Sequence, residues 1–209
     1  MNIAVIGASG RIGSRVVREA LSRGHKVTAI VRDAKKVEDL ADTAVIEKDV
    51  FELTNELQAF DVVVSAYGTK PGEEHLHIAA NKKLIELTHK APNTRLLVVG
   101  GAGSLYVDDQ GTRVLETPGF PDIYLPTATN QGEALKLYLA EDHLDWTFIS
   151  PSAEIEPGER TGQYQAGKDH LLANKEGRSY ISMEDYAVAL LDEIEEPKHR
   201  KERFTVASV

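Results

Sequence analysis

An α/β fold built on a doubly wound parallel sheet is what this sequence predicts, and three observations carry the expectation. Short apolar runs alternate with longer amphipathic segments along the chain. One of those runs, DVVVS (61–65), is apolar through its middle, which suits a parallel strand covered on both faces. The first 33 residues, MNIAVIGASGRIGSRVVREALSRGHKVTAIVRD, form a strand–turn–helix–strand unit with glycines at the first turn.

Within that unit, Asn2 to Gly7 is too short and apolar for a buried helix and reads as a central strand. Ile12, Val16, Val17, Ala20 and Leu21 form one helical stripe, ended by Gly24, and Lys26 to Val31 is the second strand. Gly7, Gly10 and Gly13 are spaced Gly-x-x-Gly-x-x-Gly. Glycine lets backbone approach a pyrophosphate closely, and the helix that follows aims unpaired N–H groups and a partial positive charge at it. Gly7, Ala8, Ser9, Gly10, Arg11 and Ile12 are therefore candidate cofactor contacts. A plain tight turn is the bland alternative, which the flanking strand and helix make less apt.

Arg32 directly follows the second strand, where a protein that prefers NAD usually carries an acid for the ribose 2′-OH. An arginine suits a 2′-phosphate instead, so the sequence predicts NADPH over NADH, with Arg11 as a second cation and Asp33 pointing away. One charge-assisted hydrogen bond contributes about 1.5–3 kcal/mol, roughly 10- to 100-fold in affinity.

Further along, Ala34 to Leu40 suits a short helix, Thr43 to Glu47 a third strand, and Leu53 to Phe60 another short helix. Asp61 to Ser65 is the fourth strand, Glu73 to Lys90 a longer helix, and Arg95 to Gly100 the fifth strand. Gly101 to Pro126 is irregular, Thr127 to Asp142 helical, and Trp146 to Ser150 the sixth strand. Pro151 to Ile181 mixes loop and short strand, Ser182 and Asp185 make a capping box for a helix to Ile194, and Phe204 to Ala207 is a last strand. The expected order is 3-2-1-4-5-6, which places ligands beyond the carboxyl ends of the strands where strands 1 and 4 diverge.

The 209 residues suit one domain, 1–209, with 151–182 as a substrate-side lobe within it. The net charge of −9 argues against nucleic acid and an anionic membrane surface as partners. Cysteine is absent, which excludes disulfides and thiolate chemistry, and no apolar run reaches membrane-spanning length. The opening core strand leaves no room for a signal peptide, so a cytoplasmic protein, monomer or homodimer, is expected.

After the third strand, Asp49 suits the adenine amino group with Val50 on the ring, or Asp49 caps the next helical turn. After the fourth, Ser65, Ala66, Tyr67 and Gly68 let the chain pass close to a ribose, although Tyr67 also reads as packing. GASGRIG, Arg32, KDVF (48–51), VVSAYG, LLVVGGAGSL (96–105), DWTFISPS and PGERTG together resemble the atypical short-chain dehydrogenase/reductases. Within them the chain is most similar to the NAD(P)H-binding, NmrA-like group that includes NADH-flavin reductases, near biliverdin IXβ reductase. The resemblance spans essentially the entire chain and implies a Rossmann-type domain whose small C-terminal substrate lobe closes over the nicotinamide. It also places Pro151 near the carboxamide and Glu154 to Gly162 as a flap beside it.

The short-chain dehydrogenase mechanism uses a tyrosine acid, a lysine four residues later and a serine. Tyr164 and Lys168 match the spacing but follow the sixth strand, the wrong place, leaving Tyr164 at most a substrate-lobe residue. The right region offers Ser104 and Tyr124, but position 128 is Ala. A tyrosine with a pKa of about 10 and no cation beside it is a poor acid at neutral pH. Ser104 and Tyr124 then orient an acceptor or serve structure only. A conjugated ring, which delocalises the incoming electrons itself, is the better acceptor. His75 and His77, two apart, do not share a helix face and read as solvated rather than metal-binding, and Asp192 to Glu196 reads as a solvated acidic face. Two functions follow: an NADPH-dependent reductase of a flavin, quinone or similar planar acceptor, or a non-catalytic NADP(H)-sensing regulator of the NmrA-like type. Open apolar space near Tyr67, Leu105 and Tyr124 favours the first; an epimerase is disfavoured by the missing Tyr/Lys pair and the short C-terminal segment.

Overall fold

Ile3, Val5 and Val64 on one side of the sheet and Ala4, Ile6 and Val63 on the other are all buried, so the central strands have no solvent face. This forces helices onto both sides. A computed structural model, describing residues 1–40 and 42–209, shows how they are arranged. The strands are β1 (Asn2–Ile6), β2 (Lys26–Val31), β3 (Ala44–Glu47), β4 (Val62–Ser65), β5 (Arg95–Val99), β6 (Trp146–Ser150), β7 (Glu154–Glu156), β8 (Gln165–Gly167), β9 (Tyr180–Ser182) and β10 (Glu202–Ala207). The helices are α1 (Gly13–Ser22), α2 (Leu76–His89), α3 (Leu125–Leu139) and α4 (Met183–Glu195).

The main sheet runs β3-β2-β1-β4-β5-β6-β10-β8, so the expected order holds for the first six strands and continues into β10. All neighbours are parallel except β8, which closes the edge antiparallel to β10 through Gln165, Ala166 and Gly167. Helices α1 and α4 pack together on one face, and α2 and α3 on the other. β7 and β9 form a separate two-stranded parallel pair in the 151–182 stretch.

Two expected short helices are single 3₁₀ turns, Ala34–Val37 and Glu56–Ala59, because neither segment has the length to pay for helix nucleation. α3 begins two residues earlier than expected, since Pro126 sits in its first turn, where its missing N–H is not needed. The capping box at α4 is half present. Ser182 Oγ accepts from the Asp185 amide at 3.0 Å, but the Asp185 carboxylate turns away to hold the 161–162 backbone. No helix among the described residues is long and apolar enough to cross a membrane.

Gly13 fixes how closely α1 sits on the sheet: a Cβ there would lie 2.2 Å from the Gly7 carbonyl oxygen. Both groups are backbone and cannot yield without moving the helix. Gly13→Ala is expected to cost about 1–3 kcal/mol, read as a fall in Tm of about 2–4 °C per kcal/mol.

Candidate functional site

A cavity of about 880 Å³ opens at the carboxyl ends of the parallel strands, within the usual range for small-molecule sites. Its wall is built by the segments that follow β1, β2, β3, β4, β5 and β6, closed on one side by α3. Gly7, Ser9, Gly10, Arg11 and Ile12 of the glycine turn line it, as do Arg32, Asp49, Val50, Ala66, Tyr67, Gly68, Tyr124 and Pro151.

The three glycines of the turn divide their work. Gly7 adopts φ +75°, and a Cβ there would sit 2.4 Å from the Ala66 carbonyl oxygen. Gly7 and Gly13 thus serve close packing. Gly10 is exposed, and its added Cβ would meet only the Gly7 oxygen, at 3.1 Å. This is the position whose missing side chain leaves room for a ligand. α1 begins with no side-chain cap, and among the described residues the Arg11 and Ile12 amides meet no acceptor. Such a helix start suits an anion. Ala8 is a correction: its methyl is buried in the core on the α1 side and lines nothing. Ser65 likewise is buried in β4, and the cavity wall starts one residue later.

At the end beyond β2, the Arg32 side chain is largely exposed, with Nε 3.9 Å from Asp49 Oδ2. Asp49 is the cap that one reading of its position expects, and it also borders the cavity. Oδ1 accepts from the Phe51 amide at 3.0 Å as a cap, with the Asp49 amide donating to Glu52 Oε2 at 2.7 Å, while the residue still lines the cavity. Asp33 caps the next turn by accepting from the Lys35 amide at 3.1 Å, away from the site. Lys48 also lines the cavity and pairs with Glu56, whose carboxyl this bond holds down at about 2. Arg32 and Arg11 both line the cavity.

Tyr67 stands edge-on between Phe51 (6.4 Å) and His77 (6.0 Å). Burial, then the Asp49 charge, raises its hydroxyl pKa. His77 corrects the solvated reading: it is buried, lines the cavity, and its Nε2 lies 3.3 Å from Thr69 Oγ1. Burial lowers its pKa against the opposing pull of Glu74. His75 is exposed as expected.

At the far end, Tyr124, Thr127, Ala128 and Gln131 of α3 and its lead-in line the wall. Ser104 does not. Its Oγ and its carbonyl oxygen each accept from Arg203 Nη1 at 3.1 Å, so the hydroxyl holds the 102–105 loop to β10. Leu105, expected beside open space, is fully buried, whereas Tyr67 and Tyr124 do border the cavity. Ala128 stands where a short-chain dehydrogenase has its lysine; it is buried, and a Cβ on Gly103 would come within 2.6 Å of its own. Tyr164 packs on the α4 side of the sheet and donates to Asp192 Oδ2 at 2.8 Å, outside the cavity. Lys168 lies 3.5 Å from Glu202.

The expected flap divides in two. Ala153, Glu154 and Ile155 border the cavity. Residues 156–162 instead form a strap across α1 and α4: Glu184 accepts from the Gly158 amide, Asp185 from the Thr161 and Gly162 amides, and Glu19 from Arg160 Nε and Nη2. The strap is pinned, not poised over the site. Lys48, Thr69, His77, Thr127 and Gln131 were not singled out as site residues from sequence; the spacing of 124, 128 and 131 on one helix face was the available signal for the last. Among the described residues, no group of three or more His, Asp or Glu is placed to hold a metal ion.

A doubly wound parallel sheet whose glycine turn opens on a cavity at the switch point defines a nucleotide-binding protein of the Rossmann class. Residues 7–197 match the NAD(P)H-binding family, and the chain belongs to it. It is 56% identical over 211 residues to the uncharacterized protein YwnB of Bacillus subtilis (strain 168), covering 100% of this chain and 99% of that one. The crystal structure of SP1627 from Streptococcus pneumoniae TIGR4, described as "a putative NADH-flavin reductase", superposes with a TM-score of 0.93 at 42% identity over 100% of both chains. ChuY of Escherichia coli O157:H7, an anaerobillin reductase, shares the fold with a TM-score of 0.76 at 17% identity, over 100% of this chain and 97% of that one.

Proposed function

We propose that this protein is an NADPH-dependent reductase that passes a hydride to a flavin, quinone or similar planar conjugated acceptor. The observation that carries the reading is one continuous cavity, joining the glycine turn and Arg32 to an acceptor end bordered by Phe120, Pro121 and Tyr124. The Arg11 and Ile12 amides bind the diphosphate, and Arg32 with Arg11 takes the 2′-phosphate. Asp49, Val50 and Tyr67 hold the adenosine, and Pro151 borders the nicotinamide. A bound reduced nicotinamide supplies the hydride; solvent reaching the open cavity supplies any proton. Tyr124 contributes an aromatic face and a hydroxyl that orients the ring, and Ser104 acts on the site only by holding its loop.

Carbonyl reduction through a tyrosine acid is poorly served, because Ala128 offers no cation and the Ser104 hydroxyl is engaged. An open acceptor end supports turnover over a purely sensing role, in which that space has no use. The relation to a protein described as "a putative NADH-flavin reductase" adds to the reductase part of this reading. NADPH oxidation followed at its absorbance with FMN, FAD and a quinone panel tests the reading, and no turnover with any of them would overturn it. The cofactor preference is tested separately. Arg32→Ala is expected to weaken NADPH about 10- to 100-fold while NADH shifts far less, by equilibrium titration. Equal affinities for both cofactors in the unaltered protein would remove the NADPH assignment.

A further inference from the structure

The acceptor end holds three polar side chains whose hydrogen-bonding capacity is unused among the described residues, those of Tyr124, Thr127 and Gln131. Gln131 lines the cavity, one turn along α3 from Thr127, and among the described residues its carboxamide has no hydrogen-bond partner. It lies against the loop after β5. Gln131 Oε1 lies so close over Gly101 that a Cβ there would sit 2.1 Å from it. Gly101 is extended, φ −126° and ψ 161°, a conformation any residue adopts, so its glycine is needed for the space the amide fills.

A carboxamide presents a donor and an acceptor side by side. The matching edge on a ring is a carbonyl adjoining an N–H, as in a lactam or imide. A 1,4-quinone presents a carbonyl flanked by carbon and would leave the oxygen of Gln131 without a donor, and sites built for a hydrogen-bonding pair reject analogues that lack one partner. We infer that Gln131 reads the lactam or imide edge of a planar nitrogen heterocycle and thereby selects such rings over quinones as acceptors. The inference rests on the reductase reading and narrows its substrate class.

The test measures NADPH oxidation with riboflavin and with menadione for the unaltered protein, Gln131→Leu and Gly101→Ala. The ratio of kcat/KM for riboflavin to that for menadione is expected to fall at least tenfold in Gln131→Leu. It falls by less in Gly101→Ala, where the new methyl displaces the same amide. An unmoved ratio, or an equal loss with both acceptors accompanied by weaker NADPH binding, assigns the amide to the nicotinamide and overturns the inference. Lumichrome, a fluorescent imide ring, gives a readout that needs no turnover. Its binding to the NADP⁺-saturated protein is expected to weaken about tenfold in Gln131→Leu, and unchanged binding overturns the inference. Gln131-dependent lumichrome binding without NADPH oxidation would remove the reductase reading alone.

Discussion

Gly10→Asp is expected to weaken NADPH binding by at least about 1,000-fold while the protein stays folded. The nearest atom to a Cβ at this position is the Gly7 oxygen at 3.1 Å, so the backbone takes a side chain with a shift of a few tenths of an ångström. The Gly10 amide keeps its 2.9 Å bond to the same oxygen. What the new side chain enters is the cavity in front of α1. A carboxylate about 4 Å from one phosphate charge costs about 1 kcal/mol in water and about 4 kcal/mol at the effective dielectric of a protein surface. A diphosphate carries two such charges, and each 1.4 kcal/mol is about tenfold, so repulsion alone reaches the expected size before the lost volume is counted. Fluorescence titration with NADPH reads the affinity, and a Tm within about 3 °C of the unaltered protein confirms the fold. The same change at Gly7 is no substitute, because φ +75° and the Ala66 oxygen at 2.4 Å make it a folding defect. Near-normal NADPH affinity in Gly10→Asp would mean that the turn does not hold the diphosphate.

The parallel sheet was legible because its physics is local. A strand buried on both faces is largely apolar, and β1, β4, β5 and β6 each announce themselves within five residues. β8 escaped notice for the opposite reason: three residues, Gln-Ala-Gly, added at an edge by backbone pairing with β10 and no apolar run of their own. The site divides along the same line. The glycine turn, Arg32, Asp49 and Tyr67 sit at strand ends, where the fold class says to look, and they line one cavity. Ser104 was misplaced because its partner, Arg203, is 99 residues away. Gln131 was passed over as a polar residue within a helix, which has no motif to mark it. PGERTG belongs to the Glu154 to Gly162 stretch that the resemblance places as a flap. Its anchors, Glu19, Glu184 and Asp185, lie on two helices that nothing in those six residues identifies.

The acidic run 192–196 was the largest misreading, and it yields the second strong expectation: Glu193→Ala lowers Tm by about 6–20 °C at neutral pH, from about 3–5 kcal/mol for stranding a buried charge at about 2–4 °C each. The Glu193 side chain is 3% exposed and that of Arg95 is 6%. Arg95 Nη2 donates to Glu193 Oε1 at 2.5 Å and to Thr147 Oγ1 at 2.7 Å, and Nη1 donates to the Glu193 carbonyl oxygen at 2.7 Å. The carboxylate also accepts from the Lys198 and His199 amides and lies 2.8 Å from His199 Nδ1, while the His199 ring stacks on Phe204 at 4.1 Å. One carboxylate thus ties the end of α4 to the start of β5 and to the lead-in of β10. Burial alone would raise its pKa, but the His199 amide, Arg95 and the other donors outweigh it and hold it below the ordinary value near 4.5. A group whose pKa falls on folding stabilises fully above its unfolded value, and that contribution is lost as pH falls through the lower folded one. The Tm gap between the unaltered protein and Glu193→Ala is therefore widest at neutral pH and narrows once the pH drops below about 4. Replacing both partners, Arg95→Met with Glu193→Leu, is expected to destabilise less than Glu193→Ala alone, since no charge is stranded. It does not restore full stability, because the Lys198 and His199 amides still lose their acceptor. Thermal unfolding of the three proteins by circular dichroism between pH 3 and 7 decides it. A gap that stays constant across that range would show that Glu193 acts through packing and not through its charge.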